Sequence, residues 1–311
     1  MYQWIAKITA DSRRLKFAGR CLHCIPSFMA LLLCRMAGRL LYLLGGESRK
    51  QILNNMYDVL GKKGRRRVAG ICLKYYINLF ITLYEILVES DTLEETIDQK
   101  FEVEGESCLK AALSLKKGAI LYTPHLGNFF YYYWYLSKKF NCLTVVTAGS
   151  PELRPLYLKF QELGCRGLDY DATPPLELMR ALRAHLKENG VVLLMGDFWR
   201  PNFPPSVFFG RMSRSPGGAA ALALENQVPV VPFFGQRIRG FRHRLFFGPP
   251  VLLYKEFGRH QRNEAVNRLN LFLERVISGV PDQWFYWFNV HERWEPDAPR
   301  VEGQPGGATV A

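Results

Sequence analysis

Apolar side chains recur at helical spacing through the first 90 residues of the chain. The intervals are three or four residues in two separate runs, which are Leu53, Met56, Leu60 and Ile77, Phe80, Tyr84, Leu87. Such intervals place the side chains on one face of a helix, where they can pack against a core. We therefore predict a helical region over residues 1–90.

Short apolar runs alternate with amphipathic segments from residue 104 onward. Runs typical of strands occupy residues 119–123, 143–147, 191–195, 228–234 and 245–247. Helical spacing occurs at residues 104–116, 129–139, 155–163, 176–187, 217–225 and 263–277. This alternation predicts a single α/β domain over residues 91–294, with a mixed central sheet flanked by helices. Residues 295–311 are polar with Pro and Gly, and we predict a disordered tail there.

Residues 21–44 are mostly apolar and are edged by basic side chains. Arg35 and Arg39 interrupt the run, so its unbroken part is shorter than the roughly 18 residues that a spanning helix needs. This composition is typical of a helix that lies in the membrane interface, and the alternative is an ordinary buried helix. We predict that the N-terminal helices associate with a membrane.

The chain is basic, with 41 Lys and Arg residues against 28 Asp and Glu residues and a formal net charge of +13. Such a surface attracts nucleic acid, an acidic protein or an anionic membrane. The sequence contains no zinc-finger, RNP or P-loop pattern, so we expect no nucleic-acid partner. Among its seven cysteines, Cys21 and Cys24 form a lone Cys-x2-Cys pair without two further ligands at matching spacing, so we expect no metal site.

Two polar residues follow predicted strands directly. His125 comes after the strand at 119–123, and Asp197 comes after the strand at 191–195. Because ligands of open α/β sheets bind beyond the carboxyl ends of the strands, both side chains could face a substrate. A neutral imidazole can take a proton from a hydroxyl near neutral pH, and a carboxylate could hold its ring. The alternatives are a structural histidine and a turn-forming aspartate.

Further candidates flank these two residues. Gly127 would let the backbone come close to a substrate, and Asn128 would cap the helix predicted from residue 129. Ser215, which precedes Pro216, is predicted to cap another helix whose free N–H groups attract an anion. His243 is flanked by arginines and is predicted to lie at the surface. Three arginines could hold phosphate groups or lie exposed in solvent: Arg200, Arg211 and Arg214.

The segment PHLGNFF at residues 124–130 resembles the His-x4-acid block of the lysophospholipid acyltransferase superfamily. The resemblance is closest to the bacterial lipid A biosynthesis branch, in which the block typically runs HLGNWE. Phe130 stands where that branch has its acid. Further segments resemble later blocks of the branch, in the same order along the chain: residues 191–197, 207–211, 229–234 and 281–288.

The resemblance implies an acyltransferase at the cytoplasmic face of the bacterial inner membrane, with membrane lipid as its partner and no metal or redox cofactor. Such an enzyme moves a fatty acyl group from an acyl carrier protein or coenzyme A thioester to a hydroxyl of a glycolipid or lysophospholipid. His125 would be the base, and donors near Gly127, Asn128 and Ser215 would stabilise the oxyanion or bind phosphate.

Phe130 leaves three interpretations open, because a phenyl ring cannot carry charge or hold an imidazole. Another acid could reach His125, with Asp197 as the first candidate. The enzyme could be slow, since loss of the carboxylate from a serine-protease triad lowers the rate by about 10⁴. Alternatively, the fold has lost its chemistry and serves as a lipid-binding or scaffold protein.

Overall fold

The computed structural model of the chain describes residues 25–147 and 154–295. The N-terminal part of the predicted interface segment, before residue 25, lies outside the described residues. The predicted disordered tail lies outside them too, except for Glu295.

Three long helices form the N-terminal part of the described chain: α1 (Ser27–Leu44), α2 (Gly46–Leu60) and α3 (Arg65–Tyr84). Helix α1 packs so closely on α3 that a Cβ added at Gly38 would lie only 2.6 Å from the Cα of Ile77. Helix α3 continues into a π-helical turn, Glu85–Glu89. The predicted helical region is therefore present over its described residues.

The outer face of α1 is apolar. Its large apolar side chains that are at least 45% exposed are Phe28, Met29, Leu32, Leu33, Met36, Leu40, Leu43 and Leu44. The helix spans 18 residues despite Arg35 and Arg39, and by length and composition it could cross a membrane. The continuous helical stretch Arg65–Lys100 also satisfies that criterion, although more of it is buried. Whether α1 spans a membrane or lies in its interface stays a prediction.

The remaining chain forms a seven-stranded sheet covered by helices on both faces, which confirms the predicted mixed α/β domain. The strands of this sheet are β1 (Phe101–Glu104), β2 (Ala119–Thr123), β3 (Cys142–Val146), β4 (Gly167–Asp169), β5 (Val191–Met195), β8 (Val230–Arg239) and β9 (Arg242–Phe247). Their order in the sheet is β1-β9-β8-β2-β5-β3-β4, and only the β8–β9 pair among these is antiparallel.

A separate antiparallel hairpin consists of β6 (Pro205–Phe208) and β7 (Arg211–Arg214). The remaining helices are α4 (Leu93–Lys100), α5 (Glu106–Leu113), α6 (Phe129–Lys139), α7 (Arg154–Glu162), α8 (Pro175–Lys187), α9 (Gly218–Asn226), α10 (Leu253–Glu256) and α11 (Arg262–Gly279). Short 3-10 turns end the described chain at Pro281–Gln283, Phe285–Phe288 and Val290–Arg293.

Strand β2 lies at the centre of the sheet and is buried along its whole length. Ile120 and Tyr122 face one core, and Ala119 and Leu121 face the other, as the two-residue period of a strand requires. Strand β5 pairs with β2 in parallel, and Thr123 lies opposite Met195 at the shared end. The residues that follow the two strands therefore emerge side by side.

The predicted cap at Ser215 is wrong. Helix α9 begins at Gly218 with Gly217 as its N-cap, and no side chain caps it. The Ser215 hydroxyl is buried instead, where it accepts hydrogen bonds from the Ser206 hydroxyl (2.8 Å) and the Asn270 amide (3.0 Å). A side chain engaged on that side cannot reach the first N–H groups of α9.

Candidate active site

His125 and Asp197 lie in direct contact. Each is the second residue after its strand, and the β2–β5 register brings the two side chains together. His125 Nδ1 lies 2.6 Å from Asp197 Oδ1, and the backbone N–H of His125 donates to Asp197 Oδ2 at 2.8 Å. One carboxylate therefore holds both the ring and the backbone of the histidine.

Asp197 itself is buried and fully engaged. Its Oδ2 also accepts the indole N–H of Trp284 at 2.7 Å, and its backbone carbonyl accepts from the buried guanidinium of Arg293 at 2.5 Å. Burial alone would raise the pKa of Asp197, but the adjacent His125 and the hydrogen bonds from His125 and Trp284 hold that pKa below its usual value. The carboxylate is thus ionised at neutral pH and restricted to one orientation.

The sequence pattern does not identify Trp284 or Arg293 as parts of the site. Both side chains are buried. The available signal was the resemblance of segment 281–288 to the closing block of the family. The contact itself depends on a long-range approach between residues 197 and 284, which periodicity cannot show.

A cavity of ≈ 320 Å³ opens beside His125. Its walls are mainly aromatic and aliphatic, and they include Phe129, Tyr133, Leu178 and Leu194. The His125 ring is flanked edge-on by Phe129 and Tyr286, with ring centroids 5.0 and 4.9 Å away. The start of α9, at Gly217 and Gly218, lines the same cavity. The site therefore combines a polar pair with a largely apolar chamber.

Phe130 is part of the wall of this cavity. Its ring stacks on Phe129 at 4.7 Å and contacts Phe160 at 5.2 Å between centroids. The side chain at the position of the missing acid therefore joins an aromatic cluster, and the carboxylate beside His125 comes from Asp197.

Gly127 and Asn128 form the turn between His125 and α6. The Asn128 carboxamide accepts the N–H of Tyr131 at 3.2 Å, which confirms the predicted cap. Its amide group donates to the buried Glu85 at 3.0 Å, so both ends of this side chain face protein. Gly127 has φ = 58° and donates its N–H to the Gln283 carbonyl at 2.9 Å. These two residues shape the turn that carries His125.

The three candidate arginines contact protein groups and are not among the described residues that line the cavity. Arg200 lies over the Phe198 ring, and Arg211 pairs with Asp58. Arg214 donates to the Phe203 carbonyl at 3.1 Å. Their predicted phosphate contacts, like that of Ser215, stay predictions. No cluster of His, Cys, Asp and Glu suited to a metal ion occurs in the described part of the chain.

The predicted surface position of His243 is wrong, because its side chain is fully buried. Strand β9 alternates, so Arg242 points to solvent while His243 points inward. There it contacts Tyr132 and Glu85, close to the turn at Gly127 and Asn128. The prediction relied on the flanking arginines, whereas the two-residue alternation of the strand places His243 on the buried face.

Similarity to known proteins extends over most of the chain. Residues 15–295 match the family model described as bacterial lipid A biosynthesis acyltransferase. A 134-residue stretch is 34% identical to a phosphatidylinositol mannoside acyltransferase of Mycobacterium tuberculosis (strain ATCC 25618 / H37Rv). That alignment covers 40% of this chain and 40% of the relative, so it spans less than half of either protein. Since the family model covers most of the chain, the protein belongs to the bacterial lipid A biosynthesis acyltransferase family.

Proposed function

We propose that the protein transfers a fatty acyl group from an acyl carrier protein or coenzyme A thioester to a hydroxyl of a membrane glycolipid. The observation that carries the proposal is the His125–Asp197 pair at the wall of an apolar cavity. Family membership supports lipid acyl transfer in general. A glycolipid acceptor is supported by the names of the matching family and of the similar mycobacterial protein, since lipid A and phosphatidylinositol mannoside both contain sugar hydroxyls.

In the proposed reaction, His125 acts through its Nε2 atom. Asp197 accepts the Nδ1–H, which leaves the Nε2 lone pair free to take the proton of the acceptor hydroxyl. The hydroxyl oxygen then attacks the thioester carbonyl and forms a tetrahedral oxyanion. When this intermediate collapses, the C–S bond breaks, and His125 returns its proton to the departing thiolate. The products are the new ester and the free thiol.

The cavity suits the hydrocarbon part of the donor. Its volume of ≈ 320 Å³ lies at the lower end of the range for ligand pockets, and its walls offer few polar partners. It therefore fits an acyl chain better than a sugar headgroup or the polar part of the donor. The first N–H groups of α9, beside Gly217 and Gly218, lack partners within the helix and carry its positive end. They would stabilise the oxyanion.

The membrane supplies the acceptor. The exposed apolar face of α1 would enter the bilayer, and Arg35 and Arg39 on the same helix would contact anionic headgroups. Docking in this way keeps the enzyme at the surface where both the glycolipid and the product reside. We place this surface on the cytoplasmic side of the inner membrane, where acyl thioesters are made available.

The proposal is tested by comparing wild type with His125→Ala, using His260→Ala as a matched control because His260 is exposed. Lipids are extracted from cells with each variant or without the gene, and they are analysed by mass spectrometry. We expect one acylated glycolipid to depend on wild type and on His260→Ala, and to disappear with His125→Ala. Equal lipid profiles for wild type and His125→Ala would refute the proposed function.

A second candidate, a scaffold that binds lipid without chemistry, is favoured by Phe130 alone. It predicts that the purified protein binds glycolipid vesicles while releasing no thiol from acyl donors. The contact between His125 and Asp197 favours the enzyme, because a binding protein has no need for an oriented imidazole at the cavity wall.

A further inference from the structure

A chain of buried polar groups lies directly behind the turn that carries His125. Its anchor is Glu85, on the π-helical turn after α3, and the side chain is completely buried. The Glu85 carboxylate contacts the Arg237 guanidinium at 2.6 Å, His243 Nε2 at 2.8 Å and Asn128 Nδ2 at 3.0 Å. Although burial opposes its ionisation, Arg237 and His243 hold the pKa of Glu85 well below its usual value.

The direction of each hydrogen bond in this chain follows from the ionised carboxylate. Glu85 can only accept, so His243 donates through Nε2–H. Burial lowers the pKa of His243 and favours its neutral form, in which Nδ1 accepts. The Tyr132 hydroxyl lies 3.0 Å from His243 Nδ1 and donates to it, while the Tyr132 oxygen accepts the backbone N–H of Asn128 at 3.2 Å.

The chain therefore ends on the peptide group three residues after His125. The hydroxyl of Tyr132 also fills the space beside Gly127, where a Cβ would lie 2.3 Å from it. From the other side, the Phe285 N–H donates to the His125 carbonyl at 2.9 Å. Gln283 binds the Gly127 N–H through its carbonyl and the Arg237 backbone through its side chain. The histidine turn is held between these two sets of bonds.

A buried ionic network of this kind is weak evidence of stabilisation, because apolar side chains of similar volume often stabilise a core as well. What the network adds is a fixed direction for each hydrogen bond. Three elements that are distant in sequence meet at Glu85, because this residue of the turn after α3 binds Arg237 and His243 of the β8–β9 pair and the Asn128 side chain at the start of α6.

We infer that Tyr132 is a positioning residue for His125, with its hydroxyl oriented by His243, Glu85 and Arg237. The inference rests on the proposed function. Tyr132 is not among the described residues that line the cavity, and it acts by fixing the Asn128 peptide. The His125 ring then stays within hydrogen-bond distance of Asp197 and keeps its place in the cavity wall.

The test compares Tyr132→Phe with Tyr135→Phe. Both changes remove one hydroxyl from α6, but the Tyr135 hydroxyl bonds to Glu106, away from the turn. Each variant is purified, its thermal unfolding is recorded, and thiol release from an acyl-coenzyme A donor is measured with glycolipid vesicles below the unfolding range. We expect Tyr132→Phe to lower kcat by about 10- to 100-fold with little change in KM, because small displacements of a reacting group are costly. Tyr135→Phe should retain wild-type kcat.

The separation of kcat from KM supplies a readout that a purely structural role would not change, because Tyr132 is not among the described residues that line the cavity and its loss should leave substrate binding intact. His243→Asn breaks the same chain and should behave alike, which keeps the test usable if one variant fails to fold. Wild-type kcat in a folded Tyr132→Phe, or equal losses of kcat in both tyrosine variants, would refute the inference alone. A wild type without transfer activity would refute the proposed function, and the inference with it.

Discussion

Replacing Asp197 with asparagine should nearly abolish acyl transfer while preserving the size and shape of the side chain. Asp197 Oδ2 accepts two N–H groups, from the His125 backbone and the Trp284 indole. The single oxygen of asparagine will therefore occupy the Oδ2 position, and the amide nitrogen will face His125 Nδ1. That nitrogen donates, so Nδ1 must accept and the ring proton moves to Nε2. An imidazole in this tautomer cannot take a proton from the acceptor hydroxyl.

The expected magnitude is a loss of about 10⁴ in kcat, equivalent to about 5 kcal/mol of transition-state stabilisation. Removal of the side chain would abolish all of its hydrogen bonds, whereas Asp197→Asn reverses only the bond to His125 Nδ1. The assay is thiol release from the acyl donor at saturating glycolipid, with Asp98→Asn, an exposed carboxylate on α4, as the control. The double variant with His125→Ala should be little worse than His125→Ala alone, because the pair acts as a unit. Full activity in a folded Asp197→Asn would refute this reasoning.

Three further outcomes are expected. Phe130→Glu should leave kcat unchanged or reduce it, because Asp197 already holds the imidazole and a carboxylate among aromatic rings is costly to desolvate; increased kcat would contradict this. Leu40→Asp, on the exposed face of α1, should reduce pelleting with anionic vesicles without changing the unfolding temperature; unchanged pelleting would argue against that face. Burial raises the pKa of Glu274 to about 7, so the folded state binds this proton more tightly than the unfolded state does. The free energy of unfolding of the wild type should therefore fall as pH rises from 4.5 to about 7. Glu274→Gln should remove part of this fall, about 2–4 °C in Tm between pH 5 and pH 8, and equal falls in both proteins would contradict the assignment.

Most predicted strands and helices match the structure to within a residue or two, but β8 ends at Arg239 instead of residue 234, β9 begins at Arg242 instead of residue 245, and α5 ends at Leu113 instead of residue 116. The bounds of β2, β5 and α6 match the prediction, because each combines an uninterrupted pattern with a clear end signal. Strand β1 was missed because its sequence, FEVE, contains two glutamates and only four residues. The β6–β7 hairpin was missed because its turn contains Phe209 at φ = 51°, and phenylalanine gives no turn signal.

The candidate site was only partly predictable, for a different reason. His125 and Asp197 could be assigned to one edge of the sheet from local patterns, since each follows a buried strand. Their contact required β2 and β5 to be neighbours, and no local pattern contains the strand order. Glu85 lies within a helical pattern that carries no mark of the Arg237 and His243 partners about 150 residues later. The spacing of apolar residues cannot predict which buried polar side chains pair over long distances in the sequence.

The place of the acid explains how Phe130 can be accommodated. An imidazole has two nitrogens, and a general base needs one of them directed at substrate, so only Nδ1 requires a carboxylate. Asp197 meets that requirement, and its orientation is fixed by Trp284 and by the His125 backbone. A second carboxylate at position 130 would have no ring nitrogen left to hold. It would instead place charge in the cavity wall, where a phenyl ring now contributes apolar surface for an acyl chain. Loss of the acid from the motif is therefore compatible with catalysis, because the neighbouring strand supplies the carboxylate.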